Sequence, residues 1–217
     1  MTTKIEHHLT EDLIAGYSAG SLPEAVNLIV ATHLSLCDTC RAAAEAYDAV
    51  GGAMLERSDE IEVSQACLSG ALDLIRNGAW AAPQTRVTRA DPVLPAPLCD
   101  YVGGSLNTVK WRSVGMGVKQ AVLATSGEAT ARLLYIPAGT AVPDHGHRGM
   151  ELTLVLKGAF RDDDGYFGRG DIEIAHEDLQ HRPIADISED CICLAVTDAP
   201  LKFRGLLPRL AQPFMGI

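Results

Sequence analysis

Apolar residues in the first third of the chain recur with the spacing of amphipathic helices. Thr10 precedes two acidic residues, and Leu13, Ile14 and Tyr17 follow at helical spacing, which predicts a first helix that ends at Gly20. Three further helices are predicted over about residues 22–34, 37–54 and 64–75. Four short helices of this kind predict one small bundle with a modest core.

From about Leu98 the pattern changes to short apolar runs that are separated by turn residues. The runs are rich in valine, leucine and isoleucine, and they cover residues 120–123, 131–136, 152–156, 171–174 and 191–196. Glycine-containing segments such as Pro137–Gly139 and Gly168–Gly170 lie between them. Short strands at this spacing are typical of a β-sandwich or a β-barrel.

A proline-rich stretch separates the two patterns. Residues 79–97 contain four prolines among alanine, threonine and arginine, which is typical of a linker. We therefore predict an α+β protein in two domains, with helices over residues 1–85, a linker over 86–97 and a β domain over 98–217. A chain of 217 residues is long enough for both domains.

Composition and charge narrow the classes of function. Apolar residues make up 47% of the chain and charged residues 21%, which indicates a globular protein. No apolar run approaches the roughly 18 residues of a membrane span, and residues 1–8 lack the apolar core of a signal peptide, so we expect a cytoplasmic protein. The net charge is −10, and residues 1–84 hold twelve acidic against four basic side chains. Such a surface repels nucleic acid phosphates and favours a basic protein partner.

One candidate metal site lies between the second and third predicted helices. His33, Cys37 and Cys40 have the spacing H-x3-C-x2-C, and a turn at a helix start presents both thiolates to one ion. His33 then supplies the third ligand of a tetrahedral zinc ion. The fourth is expected from His8 or the adjacent His7, with His8 favoured, because an antiparallel helix pair returns the end of the second helix towards the start of the first and brings either histidine within reach. A redox pair of cysteines and a disordered His7-His8 terminus are the alternatives.

A second candidate metal site lies in the β half. The pattern G-x5-H-x-H-x3-E-x6-G is formed by Gly139, His145, His147, Glu151 and Gly158. Two histidines two positions apart on a strand point to the same side, and the glutamate joins them from the next strand. Three convergent ligands of this kind suit a divalent transition metal.

This pattern resembles the first motif of the cupin family, whose second motif supplies one more histidine after a glycine turn. Gly168–Gly170 is such a turn, and His176 and His181 follow it. His181 precedes Arg-Pro, which resembles the H-x-P ending of this motif in cupins that are attached to anti-sigma factors. The resemblance favours His181 as the fourth ligand, and His176 is then expected at the surface.

Both sites together resemble the ChrR family of zinc-binding anti-sigma factors over nearly the whole chain. The resemblance is strongest over residues 26–37, 142–149 and 191–193. It implies a small four-helix zinc-binding anti-sigma domain followed by a cupin β-barrel, with one zinc ion in each. The implied ligands are His8, His33, Cys37 and Cys40 in the first domain and His145, His147, Glu151 and His181 in the second.

The resemblance also implies a function. Such proteins bind and inhibit an extracytoplasmic-function sigma factor in a 1:1 complex, without direct contact with nucleic acid. They release it under photooxidative stress, including singlet oxygen. Cys191 and Cys193 share one face of a predicted strand, and they are either redox residues near the cupin metal or two buried apolar thiols. Cys67 and Cys99 are expected to have no chemical role.

A cupin-type metal-dependent enzyme, such as a dioxygenase or an isomerase, is the alternative, because cupins carry many activities. The number of metal ligands distinguishes the two classes. Four protein ligands around a tetrahedral zinc ion leave no open position for a substrate, whereas octahedral iron or manganese at the same residues leaves two. We expect a regulator and not an enzyme.

Overall fold

The computed structural model describes residues 4–78, 91–142, 149–176 and 182–199 with their side chains, and residues 145–146, 180–181 and 202–203 as backbone. The described helices are α1 (Glu11–Ser18), α2 (Glu24–Leu34), α3 (Asp38–Glu56), α4 (Gln65–Arg76) and α5 (Ala96–Val102). The first four confirm the predicted N-terminal helices, with small shifts at their ends. A short 3-10 helix, Leu106–Thr108, follows α5.

Capping side chains explain where α1, α3 and α4 begin. Thr10 and Ser64 each accept a hydrogen bond from the amide three residues further along the chain. Cys37 caps α3 in the same manner, because its Sγ atom accepts a hydrogen bond from the amide of Cys40 at 3.5 Å. One candidate zinc ligand therefore also sets the start of a helix.

The strands form an antiparallel β domain. They are β1 (Arg112–Gly115), β2 (Val118–Val122), β3 (Thr130–Ile136), β4 (His145–Gly146), β5 (Glu151–Lys157), β6 (Ala159–Arg161), β7 (Tyr166–Gly168), β8 (Ile172–Ala175), β9 (Gln180–His181), β10 (Ile184–Ala185), β11 (Cys191–Thr197) and β12 (Lys202–Phe203). The strand orders of the three sheets are β1-β2-β3-β11-β5-β8, β10-β6-β7 and β12-β4-β9. The predicted β domain is confirmed, since the five apolar runs fall largely within β2, β3, β5, β8 and β11.

Both faces of the six-stranded sheet contribute apolar side chains to a core. On β3, Ala131 and Leu133 belong to a core that the sheet shares with the helices, whereas Ile136 belongs to an inner core inside the β domain. Strands β5 and β11 alternate between the two cores in the same way. Phe160 and Phe167 of the sheet β10-β6-β7 close the inner core from the other side. Central strands buried on both faces explain the nearly continuous apolar runs.

Helix α2 packs against the outer face of this sheet. Its residues Val26, Ile29 and Val30 are at most 2% exposed. They belong to the same apolar cluster as Leu133 of β3 and Leu194 of β11. The helices and the sheet therefore share one core, which fixes the position of α2 on the sheet.

The C-terminal part of the predicted linker, residues 91–97, is packed onto this core. Asp91 accepts hydrogen bonds from the amides of Val93 and Leu94, at 2.8 and 2.9 Å, and Leu94 is 1% exposed. Helix α5 then begins at Ala96. Residues 79–90 lie outside the described residues, and the boundaries of the two domains stay predictions.

Helix α4 differs from α1, α2 and α5, because none of its side chains is buried. In α3, Cys40 and Ala44 of the first turns are buried, and the rest of the helix is not. Cys67 on α4 is exposed, whereas Cys99 on α5 belongs to the core. Within the part of the chain that the structure describes, no helix has both the length and the apolar composition needed to cross a membrane.

Candidate metal centres

Four potential metal ligands of the N-terminal half meet at one point. The ligand atoms of His8, His33, Cys37 and Cys40 all lie within 4.8 Å of one another. The Nδ1 atom of His8 is 3.3 Å from the Sγ atom of Cys37 and 3.6 Å from that of Cys40. With Zn–S and Zn–N lengths of about 2.3 and 2.0 Å, neighbouring ligand atoms of a tetrahedral zinc ion are roughly 3.3–3.8 Å apart. The cluster has the donor set and the size of a zinc site.

The turn between α2 and α3 positions three of these ligands. His33 lies in the last turn of α2, Cys37 is the N-cap of α3, and Cys40 lies in the first turn of α3. The amide of Cys37 donates a hydrogen bond to the carbonyl of His33 at 2.8 Å, which closes the turn. His8 reaches the cluster from the extended segment before α1.

His33 has the surroundings of a ligand. The side chain is fully buried, and neither ring nitrogen has a hydrogen-bond partner within the described chain. Burial, together with the nearby His8 ring, lowers the pKa of His33 to about 4, against smaller opposing effects of Gly170 and Asp171. The ring is neutral at pH 7, which is the form that binds metals. An unpartnered buried imidazole is unfavourable unless a ligand satisfies it.

The Cys40 thiol needs a cation to lose its proton near neutral pH. Burial raises the pKa of Cys40 to about 11, and the adjacent Cys37 acts in the same direction. A divalent ion replaces the thiol proton, because thiolates are the metal-binding form. Two thiolates also balance the charge of the ion, so the residues present fit zinc.

His7, the alternative ligand, lies outside the cluster and contacts the β domain. Its ring packs against Phe167, with the ring centroids 4.3 Å apart. Its Nδ1 atom is 3.6 Å from the Oδ1 atom of Asp171. Neighbouring residues of an extended segment point to opposite sides, so His7 and His8 contact different parts of the molecule.

Asp171 joins the segment before α1 to a glycine turn of the β domain. Its Oδ1 atom accepts hydrogen bonds from the amides of Glu6 and His7, at 2.7 and 2.9 Å. Its Oδ2 atom accepts one from the amide of Gly168 at 2.8 Å. The amide of Ile172, at the start of β8, donates to the carbonyl of His7 at 3.3 Å. We call these contacts the Asp171 clamp, and they connect the residue beside His8 to the edge of the six-stranded sheet.

Three of the four predicted cupin ligands, His145, Glu151 and His181, lie on strands of the β domain. Glu151 begins β5 and is 7% exposed. The backbones of His145 on β4 and His181 on β9 are directly opposite each other, as a shared site requires, whereas their side chains and all of His147 lie outside the described residues. His176 is exposed after the end of β8, as expected.

Cys191 and Cys193 lie side by side on β11, facing the inner core. Their Sγ atoms are 3.4 Å apart, and both residues are at most 1% exposed. The hydrogen bond with Cys191 and burial raise the pKa of Cys193 well above its usual range, and the carboxylates of Glu173 and Glu151 act in the same direction. The Cys193 thiol is therefore protonated at neutral pH.

Arg132 is a buried charged residue that the strand pattern did not single out. It is 4% exposed, and its Nη2 atom donates a hydrogen bond to the hydroxyl of Thr197 at 3.4 Å. Burial lowers its pKa, and the charge of Glu151 opposes this effect. The available signal was a charged residue inside an apolar run, between Ala131 and Leu133.

Comparisons with known proteins cover both halves of the chain. The family model described as ChrR Cupin-like domain matches residues 102–201. The anti-sigma-E factor ChrR of Cereibacter sphaeroides is 56% identical over 214 residues, which are 98% of this chain and 99% of that protein. A chain in the crystal structure of Rhodobacter sphaeroides SigE in complex with the anti-sigma ChrR is 52% identical with a TM-score of 0.78, over 89% of this chain and 99% of that one. This chain belongs to the ChrR family of anti-sigma factors.

Proposed function

We propose that this protein is a cytoplasmic anti-sigma factor that binds one extracytoplasmic-function sigma factor in a 1:1 complex and inhibits it. The protein is then a negative regulator of transcription and not an enzyme. The observation that carries the proposal is the 56% identity to an anti-sigma-E factor over 98% of the chain. The related crystal structure contains SigE together with the anti-sigma ChrR.

The helices present a surface that suits a protein partner. Ten large apolar side chains from α3 to the end of α4 are exposed, and we call them the exposed helical surface: Tyr47, Val50, Met54, Leu55, Ile61, Val63, Leu68, Leu72, Leu74 and Ile75. On α4, Leu68, Leu72 and Ile75 recur at helical spacing and form one stripe. An exposed apolar stripe of this kind marks an interaction site. The sigma factor is proposed to cover the exposed helical surface.

The charge around the exposed helical surface favours a basic protein over a nucleic acid. Residues 41–78 contain seven acidic and three basic side chains. Acidic side chains around an apolar patch attract a basic partner and accelerate the encounter. The same charges repel the phosphates of DNA.

A zinc ion at His8, His33, Cys37 and Cys40 would stabilise the arrangement of these helices. The four ligands come from three separate pieces of chain, namely the segment before α1, the end of α2 and the start of α3. Structural zinc contributes on the order of 10 kcal/mol in small domains. The ion would act as a cross-link that holds α3 in place against α1 and α2.

A second zinc ion is proposed in the β domain, with His145, His147, Glu151 and His181 as ligands. The buried Glu151 carboxylate and the opposed backbones of His145 and His181 support this site. Four protein ligands leave a tetrahedral ion without an open position for a substrate. This coordination is the reason to propose a sensor rather than an enzyme.

The β domain is proposed to sense photooxidative stress, including singlet oxygen, and to cause release of the sigma factor. Its metal site and the thiols of Cys191 and Cys193 are the groups whose chemistry can change with an oxidant. The Asp171 clamp offers a physical connection, since it attaches the segment that carries His8 to the β domain. A change in the β domain can thus affect the zinc cluster.

A sigma-dependent reporter in cells tests this proposal. The wild-type chain should repress the reporter and release it after singlet-oxygen exposure. Cys40→Ser should fail to repress, because zinc is lost, and Glu151→Ala should repress but fail to respond to singlet oxygen. Cys67→Ser, at an exposed cysteine outside both sites, is the matched control and should behave like the wild type. If reporter activity does not increase when the protein is deleted from the cells, the proposal is refuted.

A further inference from the structure

Arg132 places its charged group inside the β domain. Leu134 and Ile136, on the same strand, pack against the inner core, and alternation along β3 puts Arg132 on the same face. The hydrogen bond to Thr197, which is on β11, shows that the side chain lies along this face. Arg132 is 4% exposed, so almost none of the guanidinium contacts solvent.

This buried guanidinium has more donors than partners. An arginine side chain carries five N–H donors, and the long contact with Thr197 uses one of them. The Nε and Nη1 atoms have no hydrogen-bond partner in the described part of the chain. Buried charged donors are normally satisfied, because an unpaired one is costly. Arg132 therefore has the free donors of an anion-binding residue.

The surroundings of Arg132 change from polar to apolar along the inner face. The register of β3 with β11 places Arg132 opposite Ala195 and Leu134 opposite Cys193. Beyond them lies the apolar inner core, made of Ile136, Val155, Phe160, Phe167, Ala185, Cys191 and Cys193. A ligand whose charged end reaches Arg132 thus has apolar side chains beside its other end.

We propose that the interior of the β domain binds a small monocarboxylate with a short apolar tail, held by Arg132. The planar guanidinium fork matches the two oxygens of a carboxylate and forms parallel charge-assisted hydrogen bonds with them. The tail packs towards Leu134 and Cys193, and because the carboxylates of Glu173 and Glu151 also act on Cys193, this end of the ligand has to be uncharged. The β domain is then a receptor for a small organic acid in addition to holding a metal.

This inference rests on the proposed function, because the charges at the site balance only when the proposed metal ion is bound. Glu151 acts electrostatically on Arg132, and its negative charge would repel an incoming anion. The metal ion proposed at Glu151 supplies the cation that offsets this charge. A monoanion suits this balance better than a dianion such as phosphate, whose desolvation costs more.

Thermal unfolding of the full chain tests the proposal, with the metal content determined by elemental analysis. Butyrate is added in increasing concentration, with chloride at equal ionic strength as the control, and butyramide serves as the neutral analogue. Butyrate should raise Tm in a saturable manner, whereas butyramide and phosphate should not. Arg132→Gln should weaken butyrate binding about ten- to hundredfold, the usual effect of losing a charge-assisted contact.

Two further variants make the outcome decisive. Arg161→Gln removes an exposed arginine of β6 and should bind butyrate like the wild type. Arg132→Lys keeps the positive charge but lacks the planar guanidinium fork, so it should also bind butyrate more weakly. This variant takes the place of Arg132→Gln if Arg132→Gln does not fold. The proposal would be overturned if butyrate and butyramide shifted Tm equally, or if phosphate alone shifted it. Unchanged butyrate affinity in both Arg132 variants would overturn it as well. A wild-type chain with a single metal ion would instead contradict the proposed function.

Discussion

The carboxylate of Asp171 and the backbone amide of His7 form a hydrogen bond of 2.9 Å between the sheet edge and the residue beside a proposed zinc ligand. The amides of Glu6 and Gly168 donate to the same carboxylate. Asp171 is 5% exposed, so water does not compete effectively for these contacts. The clamp therefore connects the N-terminal metal cluster to the β domain through few residues.

Replacing Asp171 by alanine removes the acceptor of three amide groups. We expect the free energy of unfolding to fall by about 2–4 kcal/mol, because hydrogen bonds to a charged acceptor contribute roughly 1.5–3 kcal/mol each and are not additive. Denaturant unfolding of the metal-loaded chain measures this loss. Asp163→Ala, at an exposed position of the neighbouring turn, should change the value by less than about 0.5 kcal/mol. Equal losses in the two variants would mean that the clamp does not stabilise the fold.

Zinc binding at the N-terminal cluster should weaken as the pH falls. Because the pKa of Cys40 is raised to about 11, the metal-free thiol is protonated at pH 7 and zinc binding displaces its proton. The pKa of His33 is lowered to about 4, so its ring stays neutral at pH 6 and does not oppose binding. Affinity should therefore fall at least about tenfold for each pH unit between roughly pH 8 and 6. Competition with a chromophoric chelator measures the affinity, and a constant value across this range would contradict a thiolate site.

Hydrophobic periodicity predicted the elements that build the core. The runs at 131–136, 152–156 and 191–196 correspond to β3, β5 and β11, because strands buried on both faces are apolar over most of their length. Helix α5 was not predicted, since Pro95 and Pro97 at its start were assigned to the linker. Proline is well tolerated in the first turn of a helix, where Pro97 lies.

The local spacing of residues predicted the zinc cluster, whereas it did not predict the long-range contacts. His33, Cys37 and Cys40 lie within one turn between two helices, so their spacing along the chain already places them together. The contact of His7 with Asp171 joins residues 164 positions apart, and no local pattern encodes it. The burial of Arg132 likewise depends on two sheets closing around the same interior.

The chain should bind two zinc ions. Cys40→Ser should remove one equivalent and Glu151→Ala the other, because the two ligand sets share no residue. His176→Ala, at an exposed histidine near the second site, should retain both. Elemental analysis of the purified proteins gives the counts. Two equivalents in Glu151→Ala would show that the site in the β domain is assigned to the wrong residues.

A charge on the exposed helical surface should disrupt sigma factor binding without affecting the fold. Leu68 on α4 is 50% exposed, so Leu68→Glu should leave the metal content and unfolding temperature unchanged. We expect sigma factor affinity to fall at least about tenfold, since a buried charge at an interface is costly. Ile187→Glu changes an 86% exposed residue of the β domain and should bind normally. Calorimetric titration compares the two, and equal affinities would exclude α4 from the interface.

The most direct test of the account is the composition of the complex that the full chain forms in its native cells. The protein is purified from unstressed cells, its partner is identified by mass spectrometry, and the mass of the intact complex is measured. We predict one extracytoplasmic-function sigma factor per chain, which is absent when Leu68→Glu is purified in the same way. A wild-type chain that purifies without a sigma factor would contradict the account.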